Sequence, residues 1–67
     1  MRLNINGTPR VFERPVRTVA DLVRELALDG KRIAVERNGE IVPRSRFAQT
    51  ALANGDRVEI VVAVGGG

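Results

Sequence analysis

The sequence predicts an α+β roll, in which one main helix packs across one face of a mixed sheet of about four to five strands. Three observations predict this fold. Asn-Gly dipeptides at 6–7 and 38–39 each separate two strand-like runs, and this dipeptide strongly favours a β-hairpin turn. A helical pattern lies between these two hairpins, and a long alternating run follows the second one. With 67 residues, the chain has room for one small domain.

The first hairpin is predicted from Leu3 and Ile5, which alternate with polar residues before the turn at 6–7. Asn and Gly both tolerate the positive φ that the two central residues of a type I′ turn require. Pro9 and Pro15 have no backbone N–H to offer a neighbouring strand. The second strand is therefore expected at an edge of the sheet.

The helix is predicted to begin after Thr18, with Asp21 three residues further on. In such a capping box, each of the two side chains accepts a hydrogen bond from the other residue's backbone N–H. Gly30 can adopt the left-handed conformation that ends helices, which predicts an end near Leu28 or Asp29. The apolar stripe that should face the sheet consists of Val19, Leu22, Val23 and Leu26.

The second hairpin repeats the pattern around 38–39, and Pro43 is expected to end its return strand. Residues 44–53 contain scattered apolar side chains without a clean period, including Phe47, which predicts a loop with a short helical turn. From residue 57 to 64, apolar and other residues then alternate in the longest strand-like run, which we expect at the centre of the sheet.

The composition argues against several kinds of chemistry. The chain has no Cys and no His, so it lacks disulfides, thiol nucleophiles, imidazole bases and the usual zinc ligands. Its net charge of +3 comes from 11 basic and 8 acidic residues that are interleaved, which indicates a solvated surface of mixed charge. Two Phe and no Trp or Tyr leave little surface on which nucleic-acid bases could stack. We expect neither a metal site nor nucleic-acid binding.

The sequence also suggests where the protein is located. Met1 opens directly into an alternating run instead of a basic and apolar leader, and no apolar stretch approaches the roughly 18 residues of a membrane span. These features predict a cytoplasmic protein without a membrane partner.

Residues 1–64 are predicted to form the domain, and Gly65, Gly66 and Gly67 a flexible tail. Glycine leaves its carbonyl uncrowded and the chain mobile. The α-carboxyl of Gly67, with an ordinary pKa of about 3.3 to 3.7, is an unreactive anion at neutral pH. It becomes reactive once a partner converts it to an acyl adenylate, from which AMP can leave. Terminal glycines often have no function, so the tail alone leaves both interpretations open.

Three segments resemble the ThiS-type sulfur-carrier proteins of thiamine biosynthesis, a β-grasp (ubiquitin-like) family. They are TVADLVREL at 18–26, AVERNGEIVPRS at 34–45 and LANGDRVEIVVAVGGG at 52–67. The Gly-Gly ending is shared with molybdopterin-synthase small subunits and other ubiquitin-like modifiers, whereas NGEIVPR favours the ThiS type. The resemblance implies a β-grasp roll and a carrier that is a cosubstrate and not an enzyme.

The resemblance further implies a reaction cycle. An E1-like adenylating enzyme of the ThiF type uses ATP and Mg to adenylate Gly67. Sulfur from a cysteine desulfurase then replaces AMP, and the resulting thiocarboxylate donates sulfur to a thiazole synthase of the ThiG type. Gly65 and Gly66 would enter the partner's active site with Gly67. The carrier itself is expected to bind no cofactor and to be a monomer when free.

The second face of the last strand is the candidate docking face for the adenylating enzyme. It comprises Arg57, Glu59, Val61 and Ala63, which lie next to the tail in sequence. Such a face is more often merely solvated or covered by the fold, because composition alone is a weak guide to interfaces.

Two alternative functions use the same tail. One is a sulfur carrier for molybdopterin or for tRNA thiolation, and the other is a ubiquitin-like protein that is conjugated to lysines. A third alternative is a binding module, for example for nucleic acid, in which the tail has no role.

Overall fold

The computed structural model describes residues 1–63. The predicted strand end at Val64 and the predicted glycine tail at 65–67 lie outside these residues. The elements follow the predicted order, with a short 3₁₀ turn in the segment predicted as a loop with a helical turn. They are β1 (Arg2–Ile5), β2 (Thr8–Val11), α1 (Val19–Glu25), β3 (Ile33–Arg37), β4 (Glu40–Val42), the 3₁₀ turn (Arg44–Arg46) and β5 (Arg57–Val62).

Strand β5 lies at the centre of a five-stranded sheet with the order β2-β1-β5-β3-β4. It pairs in parallel with β1 and antiparallel with β3, while β1 with β2 and β3 with β4 form the two antiparallel hairpins. The mixed sheet and the central last strand are therefore confirmed. Pro9 lies on the edge strand β2, as predicted, where a residue without an N–H is tolerated.

Both Asn-Gly turns have the backbone conformation that the sequence predicts. The φ angles are +51° at Asn6 and +83° at Gly7, and they are +50° at Asn38 and +85° at Gly39. Positive φ at both central residues is the requirement of a type I′ turn, whose twist matches that of the flanking strands. The two turns consequently fix the register of the two hairpins.

The predicted capping box at the start of α1 is confirmed. The N–H of Asp21 donates to Oγ1 of Thr18 at 3.2 Å, and the N–H of Thr18 donates to Oδ2 of Asp21 at 3.2 Å. A further N–H, that of Arg17, donates to the same carboxylate. This bond, followed by the Thr18 and Arg24 interactions, holds the pKa of Asp21 below its usual value despite some burial.

The helix ends earlier than predicted. Its last residue is Glu25, and not Leu28 or Asp29, because Ala27 already takes a left-handed conformation. Gly30 also has a positive φ, of +82°, but it lies beyond the end of the helix. The φ of Ala27 is +58°. Left-handed residues at helix ends are usually glycine, so an alanine gives no signal of the end in the sequence.

A Schellman motif closes α1. The N–H of Ala27 donates to the carbonyl of Arg24 at 3.0 Å, and the N–H of Leu28 donates to the carbonyl of Val23 at 2.9 Å. Carbonyls of the last turn thereby gain partners. Leu28 also packs against the core, which offsets part of the cost of about 1–2 kcal/mol for a left-handed non-glycine residue.

The core lies between α1 and one face of the sheet. The predicted helix stripe faces it, with Val19 and Leu22 fully buried and Leu26 partly buried. Both phenylalanines belong to it, as predicted, and each is only 7% exposed. The buried apolar residues are Leu3, Ile5, Phe12, Val16, Val19, Leu22, Val23, Val35, Val42, Phe47, Leu52, Val58 and Ile60.

Candidate functional site

The candidate docking face lies on the side of the sheet opposite α1, which we call the outer face. Val58 and Ile60 of β5 are buried in the core, so the residues that alternate with them point the other way. All four residues of the docking face are exposed: Arg57, Glu59, Val61 and Ala63. Their role in docking stays a prediction.

Neighbouring strands extend the docking face into a larger acidic and apolar surface. Glu59 lies directly opposite Glu36 of β3, and Glu36 lies directly opposite Ile41 of β4. Val61 pairs with Ala34 in the same way. Ile41 is 78% exposed and Val61 is 66% exposed.

Two carboxylates thus face each other at the centre of the outer face. Among residues 1–63, neither Glu36 nor Glu59 takes part in an ion pair. Like charges directly opposite each other on neighbouring strands destabilise a sheet. A basic group supplied from outside would relieve this repulsion.

Strand β5 is held differently along its two sides. On the β3 side, strand pairing runs from Arg37 with Val58 to Ile33 with Val62, and the N–H of Ala63 donates to the carbonyl of Arg32 at 2.9 Å. On the β1 side, strand pairing covers only Arg57 and Val58, because β1 turns back at Asn6.

The asparagine side chains of both hairpin turns bind β5, which the sequence analysis did not predict. Oδ1 of Asn6 accepts the N–H of Ile60 at 2.7 Å, and Nδ2 of Asn6 donates to the carbonyl of Ile60 at 3.1 Å. Oδ1 of Asn38 accepts the N–H of Arg57 at 2.9 Å. The two turns therefore hold β5 at different points along its length.

A buried carboxylate organises the start of β5. Asp56 is only 8% exposed and accepts hydrogen bonds from the N–H of Ala53 at 2.8 Å, from Nε of Arg37 at 2.8 Å and from Nδ2 of Asn38 at 3.1 Å. Burial alone would raise the pKa of Asp56, but these donors together hold it below its usual value.

The predicted reactive residue, Gly67, and its neighbours Gly65 and Gly66 lie outside the described residues. Within residues 1–63, no three acidic or other ligating side chains form a group that could hold a metal ion. None of the helices in this part of the chain is long and apolar enough to span a membrane.

Comparison with known proteins identifies the family. The sequence model of the ThiS family matches residues 3–67, which include nearly the whole described fold and the three terminal glycines. The chain belongs to the ThiS family. ThiS proteins are small sulfur carriers of thiamine biosynthesis and not themselves enzymes, so membership confirms the predicted family and the predicted carrier class.

Similar proteins agree with this ThiS assignment. The chain is 37% identical over 65 residues to the sulfur carrier protein ThiS of Bacillus subtilis, covering 97% of this chain and 98% of that protein. The thiamine biosynthesis protein ThiS from Geobacter metallireducens is 33% identical in sequence to this chain. Its crystal structure superimposes with a TM-score of 0.84 over the full length of both chains. The predicted β-grasp fold is thereby confirmed.

A longer relative contains a segment similar to this ThiS-family chain. The chain is 51% identical over 67 residues to a thiazole synthase of Paramagnetospirillum magneticum, and it spans only 20% of that protein's length. In that relative, a ThiS-like segment and the remaining four fifths belong to one polypeptide.

Proposed function

We propose that this chain carries sulfur as a thiocarboxylate on Gly67 and donates it to form the thiazole ring of thiamine. The observation that carries the proposal is that the match to the ThiS family runs through residue 67. The chain offers no Cys or His that could serve as an alternative nucleophile, base or sulfur site. The terminal carboxylate is therefore the strongest candidate for the reacting group.

Activation requires an adenylating partner. A carboxylate oxygen of Gly67 attacks the α-phosphorus of ATP, and pyrophosphate leaves with the electrons of the broken P–O bond. The acyl adenylate has lost the negative charge that repels nucleophiles. Hydrosulfide, which a thiol reductant releases from the persulfide of a cysteine desulfurase, then attacks the carbonyl carbon. AMP leaves with the electrons of the broken C–O bond, and one carboxyl oxygen is thereby exchanged for sulfur. ATP and Mg belong to this partner, an E1-like enzyme of the ThiF type, and the carrier itself binds no cofactor.

The geometry of β5 supports this assignment. The central strand β5 ends at Val62, and the five residues from there to Gly67 could reach at most about 18 Å if fully extended. A partner whose active site receives Gly67 must therefore lie close to the end of β5. Val61 and Ala63 of the docking face are exposed at this end of β5, whereas Arg57 lies at its start.

A thiazole synthase of the ThiG type is proposed as the acceptor of the sulfur. The thiazole synthase of Paramagnetospirillum magneticum supports this partner, because a segment similar to this chain is part of it. Components that act on each other gain a high effective concentration when they share a polypeptide. A cysteine desulfurase is proposed as the source of the sulfur.

Reconstitution with purified partners tests the proposal. With an E1-like enzyme, ATP and Mg, the full chain should release pyrophosphate, and deletion of Gly67 should abolish this release. Gly67→Ala should react much more slowly because its methyl group crowds the carbonyl. Gln49→Ala, which changes an exposed side chain, is a control that leaves the reacting residue intact. Undiminished turnover of the chain without Gly67 would contradict the mechanism.

The protein that accepts the sulfur distinguishes a role in thiamine synthesis from the alternative functions. The thiocarboxylate should transfer its sulfur when a thiazole synthase is added with its other substrates. Transfer only to a molybdopterin-synthase large subunit, or recovery of the chain in isopeptide linkage to lysines, would contradict the thiamine assignment and favour the corresponding alternative.

A further inference from the structure

The side chain of Asn6 continues the sheet beyond the end of strand β1. The backbone N–H of Asn6 donates to the carbonyl of Val58 at 2.9 Å, while its side-chain amide both accepts from and donates to the backbone of Ile60. One residue thus binds two β5 residues that are two positions apart, as successive backbone groups of a parallel neighbour would.

This contact supports β5 where backbone support from β1 has ended. Strand pairing with β1 reaches only Val58, and the chain then turns away at the positive φ of Asn6. Within residues 1–63, the Asn6 side chain makes the hydrogen bonds to β5 that lie nearest to the tail on the β1 side. The opposite side is held up to Ala63 by β3 and Arg32. Without Asn6, the last part of β5 would be held along one side only.

We propose that Asn6 is a positioning residue for the modification of Gly67. By fixing Ile60 from the β1 side, it sets the direction in which β5 leaves the sheet relative to the docking face. The tail can then reach the partner's active site while the docking face contacts the partner. This inference rests on the proposed function, because it concerns the presentation of the same terminal carboxylate. Small misplacements of a reacting group cause large losses of rate.

The second hairpin supplies a matched control. Asn38 has nearly the same φ as Asn6, and its side chain also makes two hydrogen bonds, to the N–H of Arg57 and to the carboxylate of Asp56. Glycine is accepted at this position of a type I′ turn. Asn6→Gly and Asn38→Gly therefore both keep the turn and both remove two side-chain bonds, but the bonds lie at Ile60 in the first case and at the start of β5 in the second.

The experiment compares adenylation of the two variants by an E1-like enzyme, at a temperature at which circular dichroism shows both to be folded. We expect Asn6→Gly to lower kcat about tenfold, since a misdirected tail reacts slowly, while KM stays near that of the unmodified chain because the docking face is intact. Asn38→Gly should change kcat less than about twofold. Hydrogen exchange should be faster at Ile60 in the first variant and at Arg57 in the second.

A second substitution keeps the test informative if Asn6→Gly does not fold. Asn6→Asp retains the turn and the acceptor for the N–H of Ile60, and it replaces the donor to the Ile60 carbonyl with a charged carboxylate oxygen. We expect it to lower kcat by about threefold, a smaller loss than that of Asn6→Gly.

Equal losses of kcat in Asn6→Gly and Asn38→Gly would overturn the inference, and so would an unchanged kcat in either Asn6 variant. If the unmodified chain is itself not adenylated, the proposed function fails instead. The two failures are therefore distinguishable.

Discussion

The two hairpins of this protein contain the same turn, but their asparagines hold the central strand in different ways. In the first hairpin, Asn6 uses only its neutral amide to bind the backbone of Ile60. In the second, Asn38 binds Arg57 and also joins the buried carboxylate of Asp56. The start of β5 is thus held by a charged network, and the part nearer the tail by a neutral pair of bonds.

This difference teaches that local sequence determines the turn and tertiary context determines its role. Both dipeptides are Asn-Gly and both adopt positive φ. Only the first lies beside the part of β5 that leads to the terminal glycines. The comparison predicts that the two ends of the strand respond differently to mutation and to acid.

Removing the charged network should have the largest effect. Asp56→Ala leaves Arg37, Asn38 and the N–H of Ala53 without their acceptor, and hydrogen bonds to charged groups contribute about 1.5–3 kcal/mol. We expect a loss of about 2–3 kcal/mol in the free energy of unfolding, measured by urea denaturation. NMR shift changes should concentrate near Arg57. Equal changes at Asn6 and Ile60 would contradict separate support of the two ends.

Low pH should selectively weaken the hydrogen bonds of Asp56 at the start of β5. The pKa of Asp56 is lower in the folded state than the ordinary value of 3.8, so its stabilising contribution is present above that value and is lost as the pH falls through the lower folded pKa. Asp21, whose pKa is also lowered, adds to the global loss. In an NMR titration, the amide of Ala53 should follow protonation of Asp56 while that of Ile60 stays unchanged. Joint titration of both amides would argue against the comparison.

A change outside both hairpins should raise stability without altering either contact. Ala27→Gly relieves the left-handed conformation at the end of α1, which we expect to add about 1 kcal/mol. For a domain of this size that corresponds to a rise in Tm of about 4–8 °C. Ala48 is exposed and is not among the residues with positive φ, so Ala48→Gly should give no rise. A similar rise in both variants would refute the explanation.

The smallest expected effect concerns the outer face. Glu59→Gln removes the repulsion between Glu59 and Glu36, which lie directly opposite each other. We expect a gain of about 0.2–1 kcal/mol that decreases with added salt. Glu40→Gln serves as the control. Glu40 lies directly opposite Arg37 across its hairpin and not opposite another acid, so this change should not raise stability. A loss of stability in Glu59→Gln would show that its carboxylate is favourably paired.

The sequence alone predicted those features that depend on local chemistry. The two Asn-Gly turns, the capping box of Thr18 and the edge position of Pro9 each follow from a preference of the residue itself. The exposed docking face followed from the alternation along β5. The assignment of Gly67 as the reacting residue stays a prediction, and the family match extends to that position.

The features that were missed depend on contacts between distant residues. The bond between Asn6 and Ile60 joins positions 54 residues apart, and no local pattern distinguishes a turn asparagine with such a partner from one without. Asp56 resembles an ordinary turn residue until Arg37 and Asn38 are brought beside it. Ala27 ends the helix in a conformation usually taken by glycine, which the two Schellman hydrogen bonds and the packing of Leu28 support.

Intact mass spectrometry of the protein recovered from its native cells tests the central claim most directly. A fraction of the chain should be heavier by the exchange of one oxygen for sulfur, and fragmentation should place this change on Gly67. The heavier species should disappear when the E1-like enzyme is deleted. A chain that stays unmodified in cells actively making thiamine, or that carries the sulfur at another residue, would contradict the account.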